Sequence, residues 1–180
     1  VVASNNSWGG GEFSQALKDA IRPGNEVGIL FVAAAGNDGM DTDDWAHYPC
    51  GFDLEGIISV AASDHNDQLA SFSNYGATTV DLAAPGVNVL SSLPENTYGV
   101  YSGTSMSAPH VAGAVALLAA YKPSATSLQI KEALLESVDP VADFAHTTLS
   151  GGRLNLAGAL HVMDDANDYY RVAVEAGDAL

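Results

Sequence analysis

The stretch Tyr101-Ser102-Gly103-Thr104-Ser105-Met106-Ser107-Ala108-Pro109-His110-Val111-Ala112-Gly113 decides how the rest of the chain is read. It begins with polar turn residues and passes into an apolar run of small side chains, Ala112 to Ala120. No polar stripe interrupts that run, so the pattern predicts a helix buried all round, opened by Gly103-Thr104-Ser105. A serine at the mouth of such a helix meets the positive end of the helix dipole, and small neighbours let another backbone come close. Those conditions suit a nucleophile. They also suit a plain N-cap, which accepts a first-turn amide and carries no chemistry.

Around this helix, apolar strands alternate with amphipathic helices. Val1 to Ala3 reads as the end of a strand, and Asn5 to Gly11 as an irregular loop rich in glycine. Phe13, Ala16, Leu17, Ala20 and Ile21 recur at helical spacing, and Pro23-Gly24 is the expected stop. Gly28 to Ala35 is a continuous apolar run, which means a strand buried on both faces, and Ile57 to Ala62 reads as a second buried strand. Shorter strands are expected at Val80–Ala84 and Val87–Leu90. Downstream, Thr126 and Gln129 have the spacing of a capping box, so a helix should run to Val138, and another over about Leu154 to His161. The fold class this defines is α/β, a three-layer sandwich around a mainly parallel sheet.

The length of 180 residues suits about one domain, and 47% apolar content allows a substantial core. A formal charge of −16 argues against nucleic-acid and anionic-membrane partners. With one cysteine, Cys50, an internal disulfide is excluded. No run is apolar enough to cross a membrane. Opening on an apolar stretch at Val1, the chain reads as a piece of something longer. The acid cluster Asp38, Asp41, Asp43 and Asp44 lacks the Asp-x-Asp-x-Asp-Gly pattern of a calcium loop and reads as a solvated loop. Three segments are expected: a main unit over 1–161, an acidic linker over 162–168, and the start of a β domain over 169–180.

The eleven residues Gly103 to Gly113 resemble the nucleophile motif of the subtilisin-like serine peptidases, with Ser107 standing where the family usually has Ala. The resemblance extends over residues 1–161 as the C-terminal part of such a catalytic domain. It implies Ser105 as the nucleophile. Ala33-Ala34-Ala35-Gly36-Asn37 is similar to the family's oxyanion segment, which implies that the Asn37 amide donates to the developing oxyanion. Ser7, Trp8 and Gly9, with Ala34, Ala35 and Gly36, are implied to pair with an extended polypeptide substrate and to wall the pocket before the scissile bond. His47 is implied near that pocket's floor, making it shallower. Asp81 matches a family position associated with a weak cation site, so structural calcium is possible, although no cofactor is required for the chemistry. Residues 169–180 resemble the opening strand of the small β domains that follow secreted bacterial peptidases, and a secreted protein is implied.

A serine hydroxyl needs a base, and the base an orienting carboxylate. The family patterns Asp-Ser/Thr-Gly and His-Gly-Thr do not occur here. None of His47, His65, His110, His146 and His161 has the flanking glycine of the family's base. The expectation is an endopeptidase fragment whose Asp and His lie upstream, inactive by itself. The alternative is a non-catalytic relative that binds peptides in the same groove. A Gly-x-Ser-x-Gly hydrolase elbow is ruled out because Met106-Ser107 follows Ser105.

Overall fold

A computed structural model describes residues 1–164. The strands are β1 (Ala3–Asn6), β2 (Leu30–Ala34), β3 (Ile57–Ser63), β4 (Leu82–Pro85), β5 (Val89–Leu93), β6 (Thr97–Tyr101), β7 (Asp139–Pro140) and β8 (Gly152–Arg153). The helices are α1 (Gln15–Glu26), α2 (Thr104–Tyr121), α3 (Ser127–Glu136) and α4 over 156–164. Helix α4 thus runs into the segment expected as an acidic linker; the β domain expected over 169–180 lies outside the described residues.

Six strands form one sheet in the order β1-β2-β3-β4-β8-β7. Every pairing is parallel except β7 with β8. The parallel register aligns Ala3 with Leu30, Phe31 with Ile57 and Val60 with Leu82, so the C-terminal ends of β1 to β4 share one edge. All seven residues of β3 are buried, Ser59 and Ser63 among them, as a strand covered on both faces of a parallel sheet requires.

Alternation along the strands sorts the core into two faces. Leu30, Val32 and Ala34 of β2, with Ile58 and Val60 of β3, pack against Val111, Val115 and Leu118 of α2 and Ile130 and Leu134 of α3. On the other face, Ala35, Ala61 and Ala83 meet Phe144, while Ile57 joins Ile21 of α1 and Phe52. Helices α2, α3 and α4 cover one side and α1 with its loops the other, which gives the three layers expected.

Four local expectations are corrected. Helix α2 is buried on one side only: Thr104, Ser107, Ala108, Val111, Val115 and Leu118 face the sheet, while Pro109, His110, Gly113, Ala116 and Leu117 are exposed. The residues are small and apolar on both sides, so the sequence carried no periodic contrast. Helix α1 continues through Pro23 to Glu26 and stops at Gly28, whose φ of 85° suits glycine. Pro23 removes one bond, to the Asp19 carbonyl, near the helix end, where that loss is tolerated. Asn5 and Asn6 belong to β1 rather than to the loop. Finally, Tyr101, read as opening a polar turn, ends β6, a strand not expected from the sequence, which pairs antiparallel with β5 in a hairpin standing apart from the main sheet; β5 itself is the strand expected over Val87–Leu90, shifted to Val89–Leu93. The capping box at Thr126 and Gln129 is present as read.

The acidic loop after β2 has a structural member. Asp43 Oδ1 accepts from the Thr78 and Thr79 hydroxyls at 2.8 and 2.7 Å and from the Thr79 amide at 3.0 Å, and the Thr78 amide donates to Oδ2 at 3.1 Å. Partial burial pushes the Asp43 carboxyl up, but these donors outweigh it and hold it below its ordinary value. A depressed folded pKa contributes stability that is present above the ordinary carboxylate range and is lost as pH falls through the folded value. Because Asp43 is exposed and solvent screens these bonds, Asp43→Ala should destabilise the chain by about 0.5–1 kcal/mol at neutral pH. In urea titrations that difference should shrink as pH falls below the carboxylate range.

Candidate active site

The C-terminal edge of a parallel sheet is where an open α/β fold gathers its functional loops. Here the loops after β1 and β2 converge on the start of α2. The Gly103 amide donates to the Gly86 carbonyl at 2.8 Å, bringing the helix mouth against the end of β4. The N-cap residue of α2 is Gly103, with φ 154°, which has no side chain to cap it. Ser105 is inside the first turn, so it is not the cap that a bland reading allowed.

Instead, Ser105 is tied to the loop after β1 by two reciprocal bonds. Its Oγ donates to the Ser7 carbonyl at 3.2 Å, and the Ser7 hydroxyl donates to the Ser105 carbonyl at 2.7 Å. The second bond has a cause in the sequence. Pro109 lies four residues on and has no N–H, so the Ser105 carbonyl lacks its helical partner and is free for Ser7.

Asn37 is tied to the same helix turn. Its Oδ1 accepts from the Thr104 amide at 2.9 Å and the Thr104 hydroxyl at 3.0 Å. The Thr104 hydroxyl in turn accepts from the Gly36 amide at 3.2 Å. With its oxygen doubly occupied, the Asn37 amide is oriented so that its NH₂ remains available for another acceptor. The Ser105 N–H is one of the first-turn amides that helix geometry leaves unpaired. Thr104 is fully buried, and its part in this arrangement was not read from the sequence. Its position between Gly103 and Ser105 was the available signal.

The remaining predicted residues line the two loops. Ala34 and Ala35 are buried at the end of β2, and Gly36 adopts φ 108°. Trp8 is 48% exposed and meets Phe31 edge-on at 6.4 Å, so it is neither core nor free. Of the histidines, His65, His110, His146 and His161 are exposed, and His110 Nδ1 contacts the Met106 carbonyl of its own helix at 2.8 Å. Among the described residues, none is hydrogen-bonded to Ser105 Oγ.

Asp81 lies away from this edge, buried at the start of β4. Its Oδ2 accepts from the Ser59 amide at 2.7 Å, and Lys131 Nζ is 3.2 Å from Oδ1. A calcium ion takes six to eight oxygen ligands from carboxylates, carbonyls and water, and its charge is repelled by a neighbouring ammonium. Among the described residues no group of three or more His, Cys, Asp or Glu side chains is placed to hold a metal. With an ammonium already facing Asp81, the residues present do not suit calcium.

The comparisons with known proteins agree with the geometry of the sheet and helices. The fold is that of subtilisin-like proteases. A mutant of the PatA protease domain aligns with a TM-score of 0.79 and 30% identity, covering 92% of this chain and 60% of that one. The prenylagaramide maturation protease PagA aligns with a TM-score of 0.78 and 29% identity, covering 89% and 62%. The chain belongs to the Subtilase family, whose signature matches residues 1–159. It is 41% identical over 140 residues to subtilisin DY of Bacillus licheniformis, covering 77% of this chain and 50% of that protein. It is 44% identical over 128 residues to a thermostable alkaline protease of Halalkalibacterium halodurans, covering 71% and 34%. The chain thus spans half or less of the length of these two relatives. Among the described residues no helix is long and apolar enough to cross a membrane.

Burial pushes the Asp81 carboxyl above its ordinary value, and the Lys131 ammonium and Ser59 amide only partly restore it. A raised folded pKa makes this group's contribution greatest below the ordinary carboxyl value and diminishes it as pH rises through the folded one. Lys131→Met strands the carboxylate and should cost about 3–5 kcal/mol near neutral pH. Measured by urea unfolding beside the unaltered chain, the deficit should grow with pH and narrow in acid, where Asp81 takes up a proton.

Proposed function

We propose that the protein carrying this chain is a secreted serine endopeptidase in which Ser105 is the nucleophile and Asn37 the oxyanion donor. The observation that supports this best is the Thr104 clamp on the Asn37 oxygen. It fixes an amide donor beside a helix-mouth serine at no reorganisation cost during reaction. A peptide-binding groove has no need of an oxyanion donor.

In this reading an extended polypeptide lies along Ser7 to Gly9 and Ala34 to Gly36. Ser105 Oγ attacks the scissile carbonyl, its proton passes to a histidine base, and charge develops on the carbonyl oxygen. The Asn37 amide and the Ser105 N–H stabilise that charge. The C–N bond then breaks as the base returns the proton to the leaving amine, and water hydrolyses the acyl-enzyme. The base and its orienting Asp are assigned to sequence preceding Val1. No metal or cofactor takes part in these steps, and the Lys131 ammonium supplies the positive charge beside Asp81.

Fluorophosphonate labelling of the whole protein, followed by mapping of the modified residue, should find Ser105. Ser105→Ala should abolish turnover without unfolding the protein; undiminished hydrolysis by that variant would remove the assignment. Asn37→Ala should lower kcat by about 10²–10³-fold with KM little changed. The isolated 180-residue chain should label slowly or not at all, and addition of the upstream segment in trans should restore labelling.

A further inference from the structure

A lysine ammonium carries three N–H donors. That of Lys131, on α3, directs them to three oxygens at the foot of the sheet. Its Nζ donates to the Ile57 carbonyl at 2.5 Å and to the Glu55 carbonyl at 3.3 Å, and it faces Asp81 Oδ1 at 3.2 Å. The Lys131 and Asp81 side chains are only 18% and 12% exposed, so these contacts are largely withdrawn from water. Main-chain carbonyls and a carboxylate are the ligands that a hard cation takes.

The fold itself gathers these oxygens. Val60 is the first residue of β3 aligned with β4, so Ile57 to Ser59 overhang the start of that strand. The Asp81 amide reaches the Ser59 carbonyl at 2.9 Å and closes the last main-chain rung. One step further out, side chains take over. Asp81 Oδ2 accepts from the Ser59 amide at 2.7 Å, which leaves Oδ1 for the ammonium. The Ile57 carbonyl lies beyond the last rung, and a buried carbonyl there needs a positive or donating partner.

Three elements meet at this point: α3 through Lys131, the entry to β3 through Glu55 and Ile57, and the entry to β4 through Asp81. Beside them lies a cavity of about 550 Å³, lined by Lys131, Asp81 and Thr78 and by the exposed acids Asp53 and Glu55. A cation in solution thus has a negatively charged approach to the same oxygens.

We propose that the Lys131 ammonium is a tethered structural cation, filling a latent cation-binding cage formed by the Glu55 and Ile57 carbonyls and Asp81. The chain carries at this point the ion that such a cage would otherwise draw from the medium. The join of α3, β3 and β4 is therefore held with no exchangeable ion. Calcium does not suit the site because an ammonium stands in its place. With the side chain cut back, the same oxygens lose their partner and face the cavity, where a small cation and its waters can enter. The inference does not depend on the peptidase reading, since it concerns folding and not turnover.

The test is urea unfolding of the whole protein and of Lys131→Ala in calcium, methylammonium or tetramethylammonium chloride at matched ionic strength. Lys131→Ala should be the less stable of the two. Calcium or methylammonium should restore it, the folding constant rising about tenfold once the cation reaches ten times its dissociation constant. Tetramethylammonium, bulky and without an N–H, should restore nothing. Methylammonium should leave the unaltered protein unchanged, and calcium should stabilise it less than the variant. The double variant Lys131→Ala, Asp81→Asn should lose the response. Equal responses in the unaltered protein and Lys131→Ala, equal restoration of the single and double variants, or restoration by neither cation overturns the proposal. If Lys131→Ala is unfolded in dilute buffer, the same cations should fold it, as read by circular dichroism; a variant that stays unfolded in both also overturns it.

Discussion

A single buried hydroxyl, that of Thr104, holds the two halves of the catalytic edge together. It accepts from Gly36 at the end of β2 and donates to Asn37 one residue further on, while its own amide also reaches Asn37. Three bonds from one fully buried residue fix the helix mouth to the loop that follows the neighbouring core strand. Buried polar groups of this kind are costly unless satisfied, so the arrangement tolerates little slippage. The position of α2 along the sheet, the orientation of the Asn37 amide and the height of Ser105 above the strand ends all depend on it.

The second anchor is a missing donor. Pro109 leaves the Ser105 carbonyl without its helical partner, and the Ser7 hydroxyl takes the vacancy. The loop after β1 is thereby held against the helix that β2 already holds. Strand spacing, a proline and a threonine place Ser7, Asn37 and Ser105 within one small region. Side chains distant in sequence reach it through parallel strands that all end on the same edge.

Much of this was legible in the residues, for physical reasons that differ from element to element. Strand β2 announced itself as an unbroken apolar run, which a sheet covered on both faces demands, and β3 as a run broken only by Ser59 before its final Ser63. The family of the chain was readable from Gly103 to Gly113 because that motif is long, and Asn37, from the separate segment Ala33 to Asn37, is bonded to Thr104 next to its Ser105 at the sheet edge. The one-sided burial of α2 was not readable, since Gly113, Ala116 and Leu117 on the outer face resemble Ala108, Ala114 and Leu118 on the inner one. Of the hairpin, β5 was expected at Val87–Leu90, but β6 was hidden: Tyr98 and Val100 are apolar yet exposed, so alternation gave no guide. Thr104 looked like any polar turn residue, because a hydrogen bond between residues 37 and 104 leaves no periodic trace.

The hairpin gives the molecule a gradient of protection. Strands β2 to β4 sit between layers and lose their amides to solvent only when the sheet opens as a whole. Strands β5 and β6 pair only with each other, with largely exposed side chains, and can separate locally. The chain leaves β6 at Tyr101 and enters α2 at Thr104, so only Ser102 and Gly103 divide the loosest element from the most tightly fixed one. Ser105, with its own N–H unpaired, stands on that boundary. In hydrogen exchange the frontier between fast and slow amides should fall within six residues of sequence, Tyr101 to Met106, whose amide is bonded to the Gly103 carbonyl, which makes the helix mouth a mechanical joint as well as a chemical one.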